Sequence, residues 1–244
     1  MQWGSFGPVH IATLVLGAAM ITGLYLLLRK ASRKVQTWVL GVLSFSGIAA
    51  IIFNLLMWDS PLEYLPLHLC SINAMLLPIV VFTRNKTLGN LLLVWCLGAL
   101  AALVVNMAQA EYELLSWTFV FYYFPHVLEF GIPILLFALG LVEKDPKCLP
   151  STLLITMLIY TGVHLCNVGL NAYCIANHIV DYAGEVIQVN YMYSIIPENP
   201  LLALFKQVIP YDYWYMYMIV PILAVYLSLV YLPQMLMKRK RNVA

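Results

Sequence analysis

The sequence predicts an all-α protein, a polytopic bundle of seven transmembrane helices with its N-terminus outside and its C-terminus cytoplasmic. Three observations predict it. Of 244 residues, 63% are hydrophobic and only 10% charged, with a mean hydropathy of +0.86, more apolar surface than a soluble domain of this length covers. The apolar residues form continuous runs near the roughly 20 residues that a helical span needs, whereas a membrane β-barrel reads as alternating segments of about ten. Finally, nearly all basic residues fall on one side of those runs.

The first run, 8–28, has no basic stretch before it and is followed by Arg29, Lys30, Arg33 and Lys34. That pattern predicts a retained span rather than a cleaved signal peptide. The second run is 37–57. The third, 65–83, opens on Leu65-Pro66-Leu67-His68-Leu69-Cys70-Ser71-Ile72-Asn73. The fourth and fifth are 88–107 and 117–142, the sixth 149–174 and the seventh 213–236. The single long connection, 175–212, carries a short apolar piece at 200–210 that reads as an interfacial or re-entrant segment, a lid or a surface loop.

With seven spans, Arg29 to Lys34, Arg84 and Lys86, Lys144 and Lys147, and Lys238 to Arg241 all share one side, and Lys206 alone lies opposite. The positive-inside rule makes the shared side cytoplasmic. Trp3, Trp58, Tyr112, Trp117 and Trp214 then form an aromatic belt at the outer interface. The expected setting is a cell membrane crossed several times, with membrane lipids as partners. Topology accounts for the basic residues, so nothing supports nucleic-acid binding. Five cysteines without a CxxC argue against a disulfide framework or zinc ribbon. No lysine lies within a span, which excludes a retinal Schiff base.

Polar residues collect in the outer halves of the spans: Asn54, His68, Cys70, Asn73, Asn106, His126, His164, Asn167 and Asn171, with Glu129 nearer mid-membrane. Ionisable groups at that depth are expensive and face a bundle interior or cavity. The economical expectation is one outward-facing polar cavity. The alternative is interhelical hydrogen bonding, the common role of intramembrane Asn and His.

His68 and Cys70 are two apart and do not share a helical face, whereas His126 and Glu129 are three apart and do. This predicts Cys70 as a thiol nucleophile, His126 as its base and Glu129 as the carboxylate that orients the imidazole. Asn73 or His68 would stabilise the oxyanion, and Asn54, Asn106, His164, Asn167 and Asn171 would line the substrate site. His164 has the depth to replace His126 as the base. Two other classes stand beside this one. His68, His126 and His164 match a three-histidine zinc hydrolase with an open position for water, although the last span lacks the histidine pair of the seven-span enzymes related to alkaline ceramidases. A non-catalytic protein that binds or transports a lipid or small solute would use the same cavity.

Phe6-Gly7-Pro8-Val9-His10, Leu65-Pro66-Leu67-His68-Leu69-Cys70, Phe124-Pro125-His126 and Asn190-Tyr191-Met192-Tyr193 together resemble the bacterial YwaF-like integral membrane family, whose vertebrate relatives form the transmembrane protein 164 group. The resemblance spans nearly the whole chain. It implies a seven-helix membrane domain and, from the vertebrate branch, acyl transfer onto ether phospholipids by a membrane cysteine with a histidine. Cys70 matches the cysteine position and His126 the histidine.

Overall fold

The computed structural model describes residues 1–57, 60–105, 109–181 and 183–243, with the backbone alone from 233 onward. Trp58 of the expected belt and Asn106 of the expected polar set lie outside the described residues. The helices are α1 (Pro8–Leu28), α2 (Arg33–Ser44), α3 (Ser46–Met57), α4 (Leu69–Thr83), α5 (Lys86–Val104), α6 (Trp117–Ala138), α7 (Leu149–Ala176), α8 (Pro200–Val208) and α9 (Ile219–Val243). No strand forms among the described residues beyond two isolated bridges, Gln2 with Glu113 and Val180 with Val186.

Six helical stretches are long and apolar enough to cross a membrane: Pro8–Leu28, Arg33–Met57, Lys86–Val104, Trp117–Ala138, Pro146–Ala176 and Trp214–Leu232. This is a multi-pass membrane protein. The expected third span is the exception. Its helix begins at Leu69 and has 15 residues, about 22 Å at 1.5 Å per residue, short of a hydrocarbon core of roughly 30 Å. Pro61–Glu63 forms a 3-10 turn before it, His68 is its N-cap, and Arg84 ends it in a left-handed conformation at φ 54°. His68 therefore stands before the helix, and Cys70 in its first turn.

Local chemistry explains most helix starts. Ser32, Asn85 and Ser116 accept from Val35, Leu88 and Phe119 N–H groups, capping α2, α5 and α6 in the way short polar side chains do. Proline opens α1, α7 and α8, where its missing N–H costs no helical bond. The expected second span is two helices divided at Phe45.

Burial separates centre from periphery. In α5 and α6, 56% of the most apolar window is buried, against 11% in the α7 and α9 stretches. Helix α6 is the hub, packed on α1, α3, α4 and α5. Small residues let the helices approach: a Cβ on Gly131 of α6 would come within 2.6 Å of Ile21 in α1, and one on Gly47 of α3 within 2.5 Å of the Ala74 methyl in α4. The apolar side chains left exposed on α1, α3 and α7, such as Val15, Leu56 and Leu158, belong to a surface suited to lipid.

Where the basic loops lie, Arg33 donates to the Leu139 carbonyl at 2.6 Å and Lys86 pairs with Asp145 at 2.8 Å. Buried Asn90 ties the same region together, donating to the Lys86 and Glu143 carbonyls and accepting from Asp145 N–H and the Tyr231 hydroxyl. At the opposite end the N-terminal segment pairs with residues 110–114 through Trp3 N–H to Tyr112 O and Leu114 N–H to Met1 O, both 2.8 Å. His10 is buried there, with one ring nitrogen accepting Phe6 N–H and the other donating to Leu103 O, a fully satisfied structural histidine.

Candidate functional site

Three helical stripes face one another between α3, α4 and α6. On α3 the stripe is Gly47, Ala50, Ile51 and Asn54; on α4 it is Cys70, Ser71 and Ala74. On α6 it runs Thr118, Phe121, Tyr122, Pro125, His126 and Glu129. Each follows the three-to-four-residue spacing of one helix face. With Tyr112 they enclose a partly open cavity of about 90 Å³. The expected nucleophile, base and carboxylate thus line one space, with Asn54 beside them.

His126 is held from within its own helix. Its Nδ1 lies 2.7 Å from the Tyr122 carbonyl oxygen. A carbonyl only accepts, so Nδ1 carries the proton and Nε2 of the neutral ring keeps its lone pair. The Tyr122 ring lies over the imidazole at 4.4 Å, and its hydroxyl donates to Ala102 O at 2.9 Å, which fixes the stack against α5. Pro125 sits inside this stretch and removes the N–H that would bond Phe121 O, loosening the turn that His126 follows.

Glu129 does not orient His126 as the spacing predicted. No hydrogen bond joins them among the described residues; the Tyr122 carbonyl takes that place because it lies directly against Nδ1. Glu129 is 3% exposed, and its Oε2 is buried without a hydrogen-bond partner. Gly47 makes the space for it: a Cβ there would lie 2.8 Å from Glu129 Oε1.

The other expected site residues do not gather at this cavity. Asn73 is buried beside it on α4 but does not line it, and neither of its amide atoms has a partner. His68 turns to the long connection, where its Nδ1 accepts Met192 N–H at 3.4 Å and its ring packs on Tyr191 and Tyr193 at 5.2 and 5.5 Å. His164 meets Ser194 Oγ at 3.0 Å. Asn167 donates to Tyr191 O and Ser194 Oγ and accepts Tyr191 N–H. Asn171 donates to Val189 O and accepts Val189 N–H. One turn apart on α7, the two amides hold alternate residues, Val189 and Tyr191, each through both its N–H and its carbonyl. The single polar cavity expected from six spans is thus two sites: a cavity on α3, α4 and α6, and a clamp on α7.

The clamp fixes the Asn-Tyr-Met-Tyr turn. Met192 and Tyr193 both hold left-handed backbone, φ 52° and 53°, strained for residues with side chains. Tyr215 donates to Tyr193 O, Tyr191 donates to Leu62 O, and Asn190 accepts from the Ile195 and Ile196 N–H groups. Burial pushes the Tyr191 and Tyr193 phenols up to about 12, so both stay protonated donors at neutral pH.

Among the described residues no three of His, Cys, Asp or Glu are grouped to hold a metal ion. The three histidines of the zinc reading separate, two to the clamp and one to the cavity. Sequence reasoning missed Tyr122, whose four-residue spacing to His126 was its only signal, and Gly47, whose role appears only when α3 meets Glu129.

No curated protein and no solved structure matches the chain. A family model does, over residues 5–231. That match takes in α1 to α7, the cavity, the clamp and every motif behind the resemblance to the transmembrane protein 164 group. The chain belongs to the TMEM164 family.

Proposed function

We propose that this protein transfers or hydrolyses acyl groups on membrane lipids, with Cys70 as nucleophile and His126 as base. The observation that carries the reading is that Cys70 and His126, 56 positions apart and on different helices, line the same cavity. Nε2 of His126 takes the thiol proton as Cys70 Sγ bonds to the acyl carbon. The tetrahedral oxyanion forms at the first turn of α4, whose N–H groups lack partners within the helix and favour negative charge. The donor oxygen leaves with the proton from His126, and a thioester stays on Cys70.

The size of the cavity supports a lipid substrate. Pockets that enclose a whole small molecule run to roughly 300–1,000 Å³, and this one is about 90 Å³. It has room for the reacting carbonyl and not for an acyl chain, which would stay in the bilayer. We further propose that α4 completes a seven-helix topology, its ends drawn to the interfaces by local thinning. The N-terminus and the cavity then lie on the extracytoplasmic side, following the basic loops.

The test is purified Cys70→Ala in detergent or nanodiscs with radiolabelled phospholipid. It folds, and it releases or transfers no labelled acyl group above background. Wild-type turnover in Cys70→Ala overturns the reading. Lipid binding that is insensitive to cysteine alkylation, with no acyl turnover in the wild type, would favour a non-catalytic carrier instead.

A further inference from the structure

Among the described residues that line the cavity Glu129 is the one carboxylic acid, and what surrounds it does not fit an orienting carboxylate. An orienter spends an oxygen on the imidazole; here the Tyr122 carbonyl already holds Nδ1. Oε2 is buried without a partner. Oε1 has no hydrogen bond among the described residues, and it occupies the gap that Gly47 leaves in α3. Neither oxygen has a hydrogen-bond partner among the described residues, and Glu129 lines the same cavity as Cys70. A buried polar group left unsatisfied costs roughly 1–3 kcal/mol, and such groups point to a function or an absent ligand.

From this arrangement we infer that Glu129 is a two-oxygen proton relay for the second half-reaction, taking a hydroxyl acceptor (an alcohol or water) as its ligand. The inference rests on the thioester reading above. As the acceptor oxygen bonds to the thioester carbon and the C–S bond breaks, the acceptor proton passes to one Glu129 oxygen. The proton on the other oxygen passes to the leaving Cys70 sulfur. Glu129 ends as it began, a neutral acid with its two oxygens exchanged, and His126 carries no proton in this step. The relay needs the carboxyl in its acid form, which brings no net charge into an apolar surrounding. The two half-reactions then use different groups: His126 for acylation of Cys70, Glu129 for its release.

The experiment uses full-length protein and p-nitrophenyl octanoate, whose leaving group needs no acid, with and without 1-octanol as acceptor. The wild type gives a burst of nitrophenol, octanoyl-Cys70 by mass spectrometry, and turnover; octyl octanoate in the arm with 1-octanol identifies an alcohol acceptor, and octanoate in the arm without it identifies water. Glu129→Gln keeps the burst, which also reports that it is folded, accumulates octanoyl-Cys70 and releases it about 100-fold more slowly in both arms. Glu129→Asp, with the carboxyl one methylene back, recovers part of that rate and serves alone should Glu129→Gln not fold. Loss of the burst in a folded Glu129 variant, or wild-type release from Glu129→Gln or Glu129→Asp, overturns the relay. Absence of octanoyl-Cys70 from the wild type overturns the thioester reading, a separate failure.

Discussion

The imidazole of His126 is fixed by the carbonyl of Tyr122, one helical turn before it, at 2.7 Å from Nδ1. This bond decides the tautomer and leaves Nε2 as the basic nitrogen. His126→Asn keeps an N–H donor near that carbonyl and removes the base. The expected outcome is a folded protein with an unchanged melting temperature and acyl turnover lowered about 10²- to 10⁴-fold. Turnover within a few fold of wild type would move the base elsewhere.

Gly47 sets the distance between α3 and α4 and holds the space of the Glu129 carboxyl. Gly47→Ala places a methyl 2.5 Å from the Ala74 methyl and 2.8 Å from Glu129 Oε1. Overpacking of this kind costs about 1–3 kcal/mol, so the melting temperature in detergent falls. Acyl turnover falls with it, because the methyl displaces a cavity wall. Gly23→Ala on α1, where a Cβ meets nothing within 4 Å, leaves both unchanged.

The two α7 amides hold the turn that carries Tyr193. Asn167→Ala leaves Tyr191 N–H and O without their side-chain partner and Asn171→Ala does the same to Val189, each costing roughly 1–3 kcal/mol. Hydrogen exchange over 187–196 rises in either variant while α5 and α6 stay protected. The double variant costs less than the sum, since both residues release one segment.

At the opposite end, Asn90 is fully buried and joins α5, the α6–α7 connection and α9. Asn90→Leu strips partners from the Glu143 carbonyl, Asp145 N–H and the Tyr231 hydroxyl, and lowers the melting temperature clearly. Lys86→Ala removes an exposed ion pair to Asp145, and such pairs contribute little. It shifts the melting temperature within the scatter of the measurement. Equal effects would show that the ion pair, and not the amide, ties this end together.

Much of the architecture was legible because hydropathy is written in consecutive residues. The run 8–28 coincides with α1, and five further expected spans overlap the long apolar helices. The third did not read through, because Leu65 to His68 are apolar or neutral and look helical, while Pro66 and a capping turn hold them outside α4. Hydropathy does not see backbone direction. The break at Phe45 left no mark for the same reason.

The site divided along another line. His126 and Glu129 share a helix, so their common face followed from spacing alone, and the separation of His68 from Cys70 did too. Which helices those faces meet did not. Cys70, Asn54 and His126 share a cavity, whereas His164, Asn167 and Asn171 have the same chemistry at a matching expected depth and serve a clamp.

By itself, then, the sequence determined a helical membrane protein with inward-facing thiol, imidazole and carboxyl groups, because the cost of placing polar groups in lipid acts on each span separately. Only the tertiary structure decided which of them meet. Partner choice depends on helix rotation and approach, set by contacts such as Gly47 against Ala74 that join residues far apart in the chain. It also decided that Tyr122, rather than Glu129, holds His126. A backbone carbonyl one turn away is a partner in every sequence, and only the ring's placement shows that it is used.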